Sequence, residues 1–224
     1  MQHAVGGTHL RERPIVLSVA LFLLLTLLVI VPASPARAAT FAVNSTSDVA
    51  GSGDLTDGTC DDGGGNCTLR AAVQEANNFA GADVIDLSAA TYTLSLGAAG
   101  EDAAATGDLD IASDVTINGA PGGTTIDANS IDRVFHVLSG ASLTLNDVTI
   151  TGGAAATGAG IRVNAGATLT INGSTVTGNS ATGHGGAIYA AGDVTADLVT
   201  ISGNSAGTTA GDGGGMYSAG GTHT

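Results

Sequence analysis

Leu143-Thr144-Leu145-Asn146-Asp147-Val148-Thr149-Ile150-Thr151-Gly152 decides the fold, because the chain repeats it. Leu143–Asn146 returns as Leu169-Thr170-Ile171-Asn172, an offset of 26. Val148–Gly152 returns as Ser174-Thr175-Val176-Thr177-Gly178, again 26 on, and as Val199-Thr200-Ile201-Ser202-Gly203, 25 further. Gly178-Asn179-Ser180-Ala181 recurs unchanged as Gly203-Asn204-Ser205-Ala206. Gly158-Ala159-Gly160-Ile161 corresponds to Gly185-Gly186-Ala187-Ile188 and to Gly213-Gly214-Gly215-Met216, at offsets of 27 and 28. A period of 25 to 28 residues holding three short β-runs is one turn of a parallel β-helix. Helical repeats fail because Gly and Thr dominate, and a leucine-rich repeat fails because its fixed Leu spacing is missing. Each rung then sits on its copy, and inward Val, Ile and Leu pile into columns. Right-handed winding is the hand that β-crossovers favour.

Outward from that stretch the same grammar continues. Val84–Leu87, Tyr92–Leu96, Leu109–Ile111, Val115–Ile117, Thr125–Ile126 and Val134–Val137 read as strands bounded by Gly, Asp, Asn or Pro. Asn179 and Asn204 fall at equivalent turn positions. Asn tolerates the left-handed conformation, and stacked amides hydrogen-bond up a ladder. The insertions 154–157 and 207–212 vary in length and are expected to bulge on one face. The rung pattern is still running at Gly220–Thr224, so the solenoid is expected to continue in a longer protein.

One helix precedes the rungs. Thr68 suits its N-cap; Leu69, Ala72, Val73 and Ala76 share a face; Asn77 and Asn78 suit its end. Its expected task is to cover the apolar end of the first rung. Cys60 and Cys67 are the only cysteines, with six residues between them that include Asp61-Asp62-Gly63-Gly64-Gly65-Asn66. In an oxidising compartment they are expected to pair and close a small loop. Two cysteines without a His cluster make a poor zinc site. Asp54, Asp57, Asp61, Asp62 and Asn66 offer oxygen ligands but lack the EF-hand spacing, and read as a solvated turn. No metal and no cofactor is expected.

Arg11, Glu12 and Arg13 lead into an unbroken apolar run from Ile15 to Val31, then Pro32, Pro35 and Ala36-Arg37-Ala38. That is the layout of a secretory signal peptide over residues 1–38, cut after Ala38. The alternative is an uncleaved anchor, for which the run is at the short limit. The rest has no second apolar run, hence no transmembrane helix of its own. Cleavage leaves three Arg and no Lys against nineteen acids, near −16. Such a surface repels phosphate backbones, which excludes nucleic acid as a partner. Aromatics are 3% and Gly is 35 of 224 residues, so a single globular core with bulky anchors is excluded while a solenoid of small branched residues is not.

Cys60 through Asn77, with Cys67-Thr68-Leu69-Arg70-Ala71-Ala72 and then Glu75-Ala76-Asn77, resembles the CSLREA domain of bacterial surface and secreted β-helix proteins. Thr68 and Ala71 stand where the name motif has Ser and Glu. The Gly-Gly-Ala-Ile and Gly-Asn-Ser elements are similar to the repeats of chlamydial-type polymorphic outer membrane proteins and other pectate-lyase-like β-helices. The resemblance implies residues 39–80 as an N-terminal cap, residues 81–224 as rungs, and a place at or beyond the cell surface or outer membrane. It implies no activity.

The expected function is therefore binding: adhesion, carbohydrate contact, or a structural stalk, toward a surface ligand such as a carbohydrate or a host or neighbouring cell. The rival is a polysaccharide lyase or glycoside hydrolase of the same superfamily, which needs facing carboxylates or Ca²⁺ ligands beside a base. Arg162 lies between inward Ile161 and Val163 and so points outward. His184 sits in a loop, and Asp147, Asp193 and Asp197 lie near outer strands or turns. Asp132, Arg133 and His136 fall within five residues and read as a surface ion pair on one strand. No catalytic set emerges, and an enzyme is not expected.

Overall fold

The computed structural model describes residues 1–4, 37–97, 100–207 and 213–224. Nearly all of the segment read as a signal peptide, and most of the insertion 207–212, lie outside the described residues. The chain divides into two units, Met1–Pro35 and Ala36–Thr224, and every described strand and helix belongs to the second.

Strand β1 (Thr40–Ala42) and helix α1 (Leu69–Asn78) come before the rungs. The first rung is β2 (Ala82–Asp86), β3 (Thr91–Thr93) and β4 (Leu109–Ile111). The next is β5 (Asp114–Asn118), β6 (Thr124–Asp127) and β7 (Phe135–Val137). Then come β8 (Ser142–Asn146), β9 (Val148–Thr151), the short β10 (Ala154–Ala155) and β11 (Ile161–Val163). They are followed by β12 (Thr168–Asn172), β13 (Thr175–Thr177), the short β14 (Ser180–Ala181) and β15 (Ile188–Ala190). Last are β16 (Asp193–Asp197), β17 (Thr200–Ser202) and β18 (Met216–Ser218).

Equivalent strands stack in parallel into three long sheets, β1-β2-β5-β8-β12-β16, β3-β6-β9-β13-β17 and β4-β7-β11-β15-β18. Among the described residues the protein is an all-β parallel solenoid, as the period demands, with one short helix. Insertion 154–157 does more than bulge: Ala154 and Ala155 pair with Ser180 and Ala181 in a ladder of their own.

Alternation decides what faces inward. Phe41, Ile85, Ile117, Leu145 and Ile171 form one inward column, Tyr92, Ile126, Ile150 and Val176 another, and Leu109, Phe135, Ile161 and Ile188 a third. All are buried. Asp83 breaks the pattern, taking an inward place in register with Val115. Its Oδ1 accepts from Ala39 N at 2.7 Å while Oδ2 has no partner, and burial raises its pKa.

The helix starts where Thr68 accepts a hydrogen bond from Ala71 N at 3.1 Å, the capping expected of that residue. It packs on β2, β4 and β5. Asn77 completes the end of the solenoid: its Nδ2 donates to Asp110 O and its Oδ1 accepts from Ala112 N. The helix is more enclosed than a one-sided amphipathic reading implies, since Arg70, Gln74 and Glu75 are buried as well. The cause is segment 44–67, which wraps its far side: Gly51 N donates to Gln74, Gly58 N to Glu75, and Thr68 Oγ1 to Val49 O. Cys60 and Cys67 close this segment with a disulfide, their Cα atoms 5.1 Å apart.

Asn179 and Asn204 form the turn ladder. Asn204 Oδ1 accepts from both Asn179 N and Nδ2 at 3.0 Å, and each side chain also donates to the carbonyl two residues back. The left-handed residue of the turn is not the Asn, however. Gly178 (φ 67°) and Gly203 (φ 62°) take it, because glycine adopts that conformation without a Cβ penalty.

Candidate functional site

Where a strand's middle residue points out of the solenoid, the rungs align it into a column. On the sheet β4-β7-β11-β15-β18 that column is Asp110, His136, Arg162, Tyr189 and Tyr217, each in register with the next. Among the described residues no other outward column joins an acid, an imidazole, a guanidinium and two phenols. Asp110 Oδ1 lies 3.1 Å from His136 Nδ1. Arg162 is outward, as read from its neighbours, with its Cζ 5.7 Å from the Tyr189 ring centroid. Its polar contacts are Asn164 Oδ1 at 3.2 Å and Thr157 Oγ1 at 3.5 Å, and no carboxylate among the described residues pairs with it. Tyr189 stacks on Tyr217 at 5.5 Å, and the loop residue His184 stacks on Tyr217 at 4.3 Å.

At the foot of the column the charge is acidic and buried. Asp108, Asp110 and Asp132 are all at least 95% shielded. Arg133 pairs with Asp108 at 2.7 Å and not with its sequence neighbour Asp132. Burial pushes the Asp108 carboxyl up to about 7; Arg133 opposes the rise while Asp110 and Asp132 add to it. Asp102, on the loop before β4, brings its Oδ1 to 3.4 Å from His136 Nδ1. The reading of Asp132, Arg133 and His136 as a surface ion pair is thus corrected: Asp132 and His136 are buried, and the partners come from the rung below. Side chains one rung apart in space are about 26 residues apart in sequence, which a five-residue window cannot see.

Asp102, Asp110 and His136 hold their ligating atoms within 4.8 Å of one another and, among the described residues, are the group that could hold a metal ion. The acidic Cys loop is used differently. Asp61 Oδ1 accepts from Gly63 N and Gly65 N, and Asp62 Oδ1 from Gly64 N and Asn66 N, so these half-buried acids cap their own turn. Asp147 and Asp197 are exposed, and Asp193 accepts from Thr222 N. A recess of about 310 Å³ beside β1, lined by Phe41, Asn44, Gly58, Cys60 and Cys67 among others, contains no ionisable side chain.

A second ladder went unread in the sequence. Asn172 donates to Asn146, Asn146 to Asn118 and Asn118 to Asp86, at 2.8–2.9 Å. Its signal was present as the Asn that ends both Leu143–Asn146 and its copy.

The fold and this column define a parallel β-solenoid with a polar–aromatic stripe on one outer sheet. No family model, no curated protein and no solved structure matches the chain. Among the described residues no helix is long and apolar enough to cross a membrane.

Proposed function

We propose that the chain is a secreted or cell-surface β-helix, right-handed, which acts by binding a saccharide-bearing surface through the Arg162–Tyr189–Tyr217 stripe. Export would use residues 1–38, and residues 39–80 would serve as a cap of the CSLREA type ahead of pectate-lyase-like rungs. One observation carries the binding reading. On a strongly acidic chain, a guanidinium with no carboxylate partner among the described residues and two half-buried phenols stand side by side on adjacent rungs. Guanidinium forks and ring edges grip hydroxyls and carboxylates, and rigid sheet-borne side chains lose little entropy on binding. Glycan-array binding by the purified chain tests this. Tyr189→Ala and Tyr217→Ala are each expected to weaken binding about three- to tenfold, and Arg162→Ala to abolish capture of acidic glycans. Binding indifferent to all three sinks the reading.

The rival is cleavage of a polysaccharide. Its support is the group Asp108, Asp110 and Asp132, in which burial pushes the Asp108 carboxyl up to about 7. Against it, those carboxylates are sealed from a chain-like substrate. Incubation with acidic polysaccharides, with and without Ca²⁺, is expected to give no new reducing ends and no unsaturated products; either product establishes the rival.

A further inference from the structure

We infer that Asp102, Asp110 and His136 form a binding site for one divalent transition-metal ion, with zinc the best fit. The geometry comes first. Two carboxylate oxygens, Asp110 Oδ1 at 3.1 Å and Asp102 Oδ1 at 3.4 Å, converge on the single atom His136 Nδ1. One N–H serves one acceptor well, and the second carboxylate is then left facing a like charge. Zinc bonds of about 2.0–2.2 Å place neighbouring ligand atoms roughly 2.9–3.4 Å apart, from octahedral to tetrahedral arrangement. Both observed separations to Nδ1 fall in that interval.

The second observation is a buried imidazole engaged through Nδ1 alone, amid buried acids. The His136 side chain is nine-tenths buried and its Nε2 has no hydrogen-bond partner. Positive charge is short around it. Asp108, Asp110 and Asp132 are buried together, Asp132 Oδ2 has no partner, and the Arg133 guanidinium pairs with Asp108. A divalent ion on Nδ1 supplies the missing charge.

The surroundings hold the ligands as a metal site requires. Asp110 Oδ2 accepts from Ala104 N at 3.0 Å, and Ala104 O is held by Arg70 and Gln74 of the cap helix. Asp102 is 70% exposed at its side chain, which leaves a path for the ion and open positions for water. Calcium prefers six to eight oxygens, more than this set offers, whereas imidazole with carboxylates suits zinc and its neighbours.

The test uses the full chain, stripped with a chelator and titrated calorimetrically with ZnCl₂. One equivalent is expected to bind. Asp102→Asn, an exposed change that leaves the core intact, is expected to weaken binding about tenfold or more. His136→Gln is expected to abolish it, along with the visible absorption of the Co²⁺-loaded protein. Asp62→Asn in the Cys loop is expected to change nothing. The inference is overturned by the absence of saturable binding. It is equally overturned by affinity kept within about twofold in both site variants, by loss in Asp62→Asn, or by calcium binding as tightly as zinc.

Discussion

In the cap region Arg70 reaches both oxygens of Asp48 and the carbonyls of Ala104, Gly107 and Asp108, a set of unlike partners from four places in the chain. In residues 142–205 Asn172 meets Asn146, Asn179 meets Asn204, and Leu169 lies on Leu143. Both regions seal backbone and apolar surface, by opposite means. The cap fixes one irregular arrangement through a buried ion pair that fits only there. The rungs reuse one arrangement, so strand partners are equivalent positions one rung apart. The cap should therefore fail sharply at single residues, while damage in the rungs should scale with burial.

The largest effect is expected for Arg70→Met. It strands Asp48 in the interior and takes the Arg70 donors from the carbonyls of Gly107 and Asp108, while Ala104 O keeps Gln74, at a cost of about 3–5 kcal/mol by chemical denaturation. A loss under 1 kcal/mol would erase the contrast. Next comes the rung core. Ile150→Ala, fully buried, is expected to cost about 2–5 kcal/mol. The equivalent Ile201→Ala, 39% exposed, is expected to cost under about half as much. Equal costs would mean that the columns do not share their load by burial. Asn179→Ala removes a buried amide bonded to Ile150 O, Thr177 O and Gly153 N, worth about 1–3 kcal/mol.

The smallest effect is expected at Glu75 in the cap, and it depends on pH. Burial raises the Glu75 carboxyl above its ordinary value; Gly58 N–H opposes this and Asp57 adds to it. The folded state thus holds the proton more tightly than the unfolded chain. The ionised carboxylate lowers stability above the folded pKa, and that penalty disappears as pH falls toward the ordinary glutamate value. Glu75→Gln is expected to raise the melting temperature slightly at pH 7 and to leave it unchanged near pH 4. Asp48 has the opposite sign. Burial works to raise its pKa, but the Arg70 guanidinium and the N–H groups of Leu96 and Ser95 outweigh that and lower it. Its contribution is present above the ordinary aspartate pKa and lost as pH falls through the lowered one. Asp48→Asn should accordingly destabilise at pH 7 and matter progressively less in acid.

The repeat was legible because identical residues at a fixed offset announce themselves: Leu143 over Leu169 needs no structure to pair. The helix was legible from Thr68 and its apolar spacing. Arg70 at its centre was not, since Asp48 lies 22 residues away across a loop with no regular pattern. The stripe was hidden for a different reason. Asp110, His136, Arg162, Tyr189 and Tyr217 obey the same period as the core, yet only the two Tyr are alike, so self-comparison passes over them. Repetition marks what holds the solenoid up, and its breaches mark where it can act. The metal ligands were missed for the same cause, with Asp102 supplied by a loop outside the period altogether.

The parallel register turns the outer sheet into a ruler. Each rung advances the stripe by about 4.8 Å, so a ligand along it is measured off tooth by tooth. Duplicating or excising a whole turn would move every later tooth by one step and leave each rung's own grip unaltered. Reach along such a surface can thus be changed in whole steps, without redesigning any single contact.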